Sequence, residues 1–160
     1  MNYAFLKFVH VLSSTLLFGT GIGSAYYLLR AVLDGRASVI ARVAGWVVVA
    51  DWLFTATTIV LQPISGYWLA RTAHFPFDQP WLKWSIVLYA IAFACWLPVV
   101  WLQMRMRDVA ADAAAKGAPL PDEFRRLFAV WFVLGFPALF AFVAVFYLMV
   151  AKPACPLFAC

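Results

Sequence analysis

Charged residues are scarce in this chain: they make up 12% of its 160 residues, whereas a soluble domain has about a quarter. Hydrophobic residues make up 66% and aromatic residues 18%. So little charge excludes an ordinary soluble domain, because too few polar side chains are available to face water. In such an apolar chain the net charge of +5 sets membrane topology and does not indicate nucleic-acid binding. We therefore predict an integral protein of the lipid bilayer.

Catalytic and metal-ligating residues are few as well, with two histidines and three cysteines. The chain has no Ser-His-Asp set and its carboxylates are scattered, which leaves nucleophilic catalysis without support. Cys95 lies in an apolar run and is expected to be a packing residue. Cys155 and Cys160 form C-x4-C near the C-terminus, a spacing that is not a strong metal motif. In an oxidising compartment these two are expected to form a disulfide.

Long apolar runs dominate the rest of the sequence. A membrane-spanning helix needs about 20 apolar residues, and the runs that are long enough lie near 4–29, 44–70, 80–103 and 127–151. We predict an all-α fold, a four-helix transmembrane bundle, that forms a single domain over residues 1–160.

The basic residues are unevenly divided between the two sides that this topology creates. Connections 30–43 and 104–126 share one side and hold eight lysines and arginines, whereas the side with the termini and the connection 71–79 holds four. The positive-inside rule places the richer side in the cytoplasm. Both termini are then predicted to face outward, to the periplasm, from a bacterial inner membrane. Within 104–126 we predict a short polar helix, and Asp122 as the N-cap of the last helix.

The second run has polar residues along one side. They recur at intervals of 4, 3, 4 and 3, on one helix face: Asp51, Thr55, Thr58, Gln62 and Ser65. A polar face inside a bilayer must contact protein or a cavity. It either holds helices together or takes part in chemistry, and in the second case Asp51 and Gln62 are candidate catalytic residues that handle protons. The alternative for Asp51 is an ion pair with Arg42 or Arg30.

The first run also has a polar face, and it places a histidine inside the membrane. The face consists of Lys7, His10, Ser14, Gly21 and Ser24. An intramembrane imidazole is a signal of function, and cations nearer the surface suit haem b. His10 would ligate the iron, while Lys7 and Lys83 would pair with the propionates. Ser14, on the same face, would line this cofactor site.

The sequence does not identify the second ligand of such a metal site. His74 is the other histidine and lies beyond the end of the second run, so it would join His10 only if the loop folded inward. Met149 and a five-coordinate iron are the alternatives. Sulfur ligands suit Cu(I), so a copper site is a competing prediction. Its ligands on the outer side would be His74, Met149, Cys155 and Cys160.

Three stretches of the sequence resemble a known family. They are LKFVHVLSSTLLFGTGIGSAYYL, DWLFTATTIVLQPISGYWLA and WLKWSIVLYAIAFACWLPVVWLQMRM, and they resemble the bacterial membrane family catalogued as domain of unknown function 2269. The opening LKFVH is also similar to the first helix of a wider group, which includes copper-resistance D proteins and membrane protoporphyrinogen oxidases. In those oxidases an early-helix histidine is implicated in haem binding, which implies that role for His10. They also use a histidine in a later helix, which this chain lacks.

Together these observations predict an integral membrane haem b-binding redox protein, which transfers electrons or oxidises a small substrate at the outer side of the membrane. One alternative is a cofactor-free accessory subunit of a larger membrane complex, in which the polar faces only hold helices together. Another is a permease for copper or a small solute along the Asp51–Gln62 face. Four helices are few for a transport path, so a permease would need a homo-oligomer.

Overall fold

Four long helices make up most of residues 2–153, the part of the chain that the computed structural model describes. The α-helical segments are α1 Tyr3–Asp34, α2 Ala37–Ala50, α3 Ala56–Thr72, α4 Pro80–Ala115 and α5 Asp122–Ala151. A π-helical turn, Asp51–Thr55, joins α2 to α3, so that Ala37–Thr72 is one continuous helix. Each long helix is apolar enough to cross a membrane, and no strand occurs in residues 2–153. This confirms the predicted four-helix transmembrane bundle.

The first connection on the basic side is much shorter than predicted. Segment 30–43 is helical except for Gly35 and Arg36. Gly35 ends α1 with φ 80, a left-handed conformation that glycine adopts without strain, and its N–H donates to the carbonyls of Ala31 and Val32. The helices therefore continue past the apolar runs, because polar residues outside the bilayer are free to stay helical.

The other connection on that side, 104–126, is also largely helical. α4 runs without a break to Ala115, so the polar helix predicted here is its continuation. The N-cap of α5 is Pro121, with φ −72 and ψ 161, and Asp122 is the first helical residue. The prediction of Asp122 as the cap is therefore wrong by one position, because proline favours the extended conformation that a cap adopts. Which end of the bundle faces the cytoplasm stays a prediction.

The bundle consists of two helix pairs. α1 packs against α2, the π turn and α3, while α5 packs against α4, and the pairs meet mainly where α2 packs on α4. An apolar core, which we call the main core, fills that end. Its most buried large members are Leu28, Ile40, Met106 and Phe124. A second, smaller core lies at the other end and is formed by Ala70, Trp81, Leu82 and Leu148.

Pro63 interrupts the hydrogen-bond ladder of α3 and frees the carbonyl of Ile59, four residues earlier. An unpaired carbonyl is unfavourable inside a membrane. The hydroxyl of Tyr89, on α4, donates a hydrogen bond to this carbonyl. The proline therefore creates a polar contact that links the two helix pairs.

Tyr89→Phe is expected to lower the free energy of unfolding in detergent by about 1 kcal/mol, because it leaves the Ile59 carbonyl unpaired. The loss should shrink in a Pro63→Ala background, since alanine at that position would supply a backbone N–H to the same carbonyl. Chemical denaturation of the four proteins of this double-mutant cycle measures the difference. Equal losses in both backgrounds would show that the tyrosine contact does not depend on the proline.

Candidate functional site

His10 is held by a hydrogen bond that defines its tautomer. Its Nδ1 lies 2.9 Å from Ser65 Oγ on α3. The Ser65 hydroxyl donates its single proton to the carbonyl of Leu61, at 2.7 Å, so its oxygen accepts from His10. We assign the proton to Nδ1 from this hydrogen-bond network, an assignment that leaves Nε2 with a lone pair. That is the form in which an imidazole ligates a metal.

Gln62 and Gly66 fix the backbone and the ring of His10. Gln62 Nε2 donates to the His10 carbonyl, at 3.0 Å, and to Ser13 Oγ, at 2.8 Å. Gly66 lies against the ring, because a Cβ there would be 3.2 Å from His10 Cε1. The missing side chain at position 66 lets α1 and α3 approach closely around the imidazole. We call His10, Ser13, Gln62, Ser65 and Gly66 the histidine cluster.

The polar face of the second span is buried, as a face inside a bilayer must be. None of its side chains is more than 7% exposed: Asp51, Thr55, Thr58, Gln62 and Ser65. Gln62 and Ser65 contact α1, whereas Asp51 and Thr55 belong to the π turn and border the space between the helix pairs. Gln62 follows Asp51 by eleven positions, which is about 16 Å along a helix. The structure therefore does not bring these two candidate catalytic residues together.

In the first half of α1 the buried face is offset by one position from the predicted face, whereas Ser24 of the predicted face is buried. Lys7 is exposed, and the Ser14 hydroxyl donates to the carbonyl of Val11 in its own helix, at 2.7 Å. Ser13, which was not among the predicted site residues, is 3% exposed and contacts Gln62 instead. A helix with a lysine near one end favours the orientation that keeps the ammonium outside the bundle. The available signal for Ser13 was its spacing of three residues from His10.

Other candidate ligands lie apart from the histidine cluster. Lys83 is exposed in the first turn of α4, a helix on which α1 scarcely packs. His74 is exposed, with φ 55, beyond the end of α3 and about 10 Å along the helix axis from the cluster. Met149 packs against the smaller core. Within residues 2–153 no three histidines, cysteines or acidic residues could hold a metal ion together, and Cys155 and Cys160 lie outside that range.

A cavity of about 370 Å³ lies between the two helix pairs. Its wall is mostly apolar, and Asp51, Thr55 and Gln103 supply polar groups. Thr55 Oγ1 donates to Asp51 Oδ1, at 2.8 Å, and the Gln103 side chain lies beside the same carboxylate. Within residues 2–153 Asp51 forms no ion pair, so the alternative pairing with Arg42 or Arg30 is not observed. The carboxylate is instead held by neutral groups at the cavity wall.

Three buried polar atoms around this cavity have no hydrogen-bond partner within the described part of the chain. They are Trp96 Nε1, Trp131 Nε1 and Gln103 Oε1, and all three residues line the cavity. Leaving such a group unpaired costs about 1–3 kcal/mol, and buried polar groups are nearly always paired. These residues were not among the predicted site residues, although a glutamine at the end of an apolar run was an available signal.

Comparison with known proteins identifies the family of the chain. No curated protein and no solved structure matches the chain. A match is found to a family described as "Predicted integral membrane protein (DUF2269)", and it covers residues 4–153. The match includes the histidine cluster, the cavity and nearly the full length of every membrane-crossing helix described above. The chain therefore belongs to this family of integral membrane proteins, DUF2269.

Proposed function

We propose that this membrane protein binds haem b through His10 and acts as a redox protein at the outer side of the membrane. The observation that carries the proposal is the contact of His10 Nδ1 with Ser65 Oγ, because a serine that donates to the Leu61 carbonyl can accept the Nδ1 proton and leave Nε2 with its lone pair. Within residues 2–153 no hydrogen bond uses Nε2. A histidine fixed through its other nitrogen is oriented for ligation. When bound, haem would supply one-electron transfer.

The other residues have supporting roles in this proposal. Gln62 holds the His10 backbone, and Lys7, one turn nearer the end of α1, is exposed and free to pair with a propionate. Lys83 remains a candidate for the second propionate. Neither His74 nor Met149 lies in the histidine cluster. Within residues 2–153, His10 would therefore be the one residue that ligates the iron, as in the five-coordinate alternative.

An absorption spectrum tests this proposal. Protein expressed with ample haem and purified in detergent is expected to show a Soret band, and α and β bands after reduction with dithionite. His10→Ala is expected to lose these bands, because it removes the iron ligand. His74→Ala is the matched control, since it removes the other histidine from an exposed position outside the histidine cluster, and it is expected to keep them.

Two results would contradict haem binding at His10. One is a wild-type protein without visible absorbance, and the other is a His10→Ala protein with an unchanged Soret band. A colourless protein that co-purifies with other chains would favour the accessory subunit. Loss of solute uptake into proteoliposomes on Asp51→Asn, with assembly intact, would favour the permease for copper or a small solute.

A further inference from the structure

The cavity between the two helix pairs is bordered by α1 and α5, which touch each other through Phe18 and Phe146, with ring centroids 5.2 Å apart. α1 and α5 form its outer edges, but each packs mainly on helices of its own pair. Two residues that line the cavity have a large exposed fraction, Tyr26 at 57% and Phe136 at 45%. A molecule dissolved in the bilayer can therefore reach the cavity without crossing water.

The unpaired polar atoms define what an occupant must offer. The indole N–H groups of Trp96 and Trp131 need an acceptor, and Gln103 Oε1 needs a donor. Neighbouring side chains cover these atoms, so pairing with an occupant requires the indole and amide groups to turn toward it, a side-chain change that is common on binding. A hydrocarbon chain would leave all of them unpaired. A hydroxyl group both donates and accepts, so a molecule with ring hydroxyls can pair with both kinds of group.

The charge and the shape of the cavity further restrict the class of molecule that can occupy it. No lysine or arginine lines it, whereas the carboxyl group of Asp51 does. A fatty-acid carboxylate or a lipid phosphate would find no cation there, so the occupant is expected to be uncharged. Trp96, Phe132 and Phe136 line the cavity, and their rings favour a flat aromatic partner. A volume of about 370 Å³ lies within the range of small-molecule sites.

The π turn adds an independent indication that the cavity is functional. The N–H of Ala56 donates to the carbonyl of Asp51, five residues earlier, where an α-helix would use a partner four residues away. This wider turn places Asp51 and Thr55 at the cavity wall. Single π turns inside α-helices occur frequently at functional sites, because the local change in winding redirects side chains.

We propose that the cavity binds the ring of a quinol from the membrane, whose hydrocarbon chain leaves between α1 and α5. A ring hydroxyl donates to Gln103 Oε1, and the ring oxygens accept from Trp96 and Trp131. The oxidised quinone accepts but cannot donate, so it leaves Gln103 unpaired and binds more weakly. This site does not include the histidine cluster, and binding to it does not depend on haem.

Equilibrium binding to the protein in lipid nanodiscs tests the assignment. The probe is a tritiated benzoquinol with a decyl tail, kept reduced without oxygen, and it is compared with its quinone. Saturable binding above that of empty nanodiscs is expected. The quinol should bind about fivefold more tightly than the quinone, because one neutral hydrogen bond is worth about 1 kcal/mol.

Variants from both edges of the cavity test its location. Gly21 and Gly135 line the cavity, and a Cβ at either position would meet nothing within 4 Å. Gly21→Leu and Gly135→Leu should therefore fill the cavity without distorting the helices and weaken quinol binding about tenfold. Gly19→Leu is the matched control, because Gly19 has the same open space, lies on the same helix as Gly21 and does not line the cavity.

Trp131→Phe tests the polar contacts, because it keeps a ring but removes the N–H donor. It should weaken the quinol and the quinone alike, by about fivefold. The proposal is overturned if the wild-type protein adds no saturable binding to that of nanodiscs, or if Gly21→Leu and Gly135→Leu both bind like Gly19→Leu. Equal affinity for quinol and quinone would overturn the choice of quinol. Circular dichroism and gel filtration identify the variants that fold. If either Gly21→Leu or Gly135→Leu fails to fold, the other still tests the location of the site.

Discussion

Gly66→Leu is expected to displace the imidazole of His10 and to lower the free energy of unfolding by about 2–4 kcal/mol. A Cβ at position 66 already comes within 3.2 Å of His10 Cε1, and the rest of a leucine side chain would have to enter the same contact between α1 and α3. Overpacking of this kind costs about 1–3 kcal/mol. The loss of the bond from His10 to Ser65 adds about 1 kcal/mol.

Chemical denaturation in detergent measures this effect, with Gly45→Leu as the control. Gly45 lies on the same continuous helix, and a Cβ there would meet nothing within 4 Å. The two variants add the same side chain, so their difference isolates the contact with His10. If haem binds at His10, Gly66→Leu should also lose the Soret band, because the ring is no longer oriented. Equal stability of both variants would contradict the tight contact.

Phe124→Ala is expected to have the largest effect on stability, a loss of about 3–5 kcal/mol. Phe124 is 1% exposed in the main core and stacks on Phe128, with ring centroids 6.5 Å apart. This core includes residues of α2, α4 and α5, so it joins the two helix pairs. The empty space left by the truncated side chain weakens the contact between the two helix pairs, so the melting temperature in detergent should fall.

Phe140→Ala is the matched control for this prediction. Phe140 lies on the same helix but is 66% exposed, and it does not line the cavity. Its truncation is expected to change the free energy of unfolding by less than about 1 kcal/mol. If Phe124→Ala and Phe140→Ala melt at the same temperature, the main core does not carry the stability assigned to it.

The helices could be predicted because a bilayer allows an apolar segment few backbone conformations. In lipid a run of about 20 apolar residues must pair its backbone groups internally, so it forms a helix whatever its neighbours do. The extent of the helices beyond the lipid was harder to predict. A polar segment such as 104–115 is neither forced into a helix nor excluded from one, and its place in α4 depends on packing against α5. The same applies to the residues around Gly35.

The candidate site was predictable only in part. The sequence by itself determined that His10 and the polar face from Asp51 to Ser65 lie inside the membrane, because their periodicity places them on helices too apolar to leave it. Only the tertiary structure decided which of them meet. In the structure His10 contacts Ser65 and Gln62, Ser14 lies outside the histidine cluster, and Asp51 lies beside Gln103. Periodicity gives a side chain its helix face, whereas its partner depends on how two helices pack and on a π turn that no spacing in the sequence reveals.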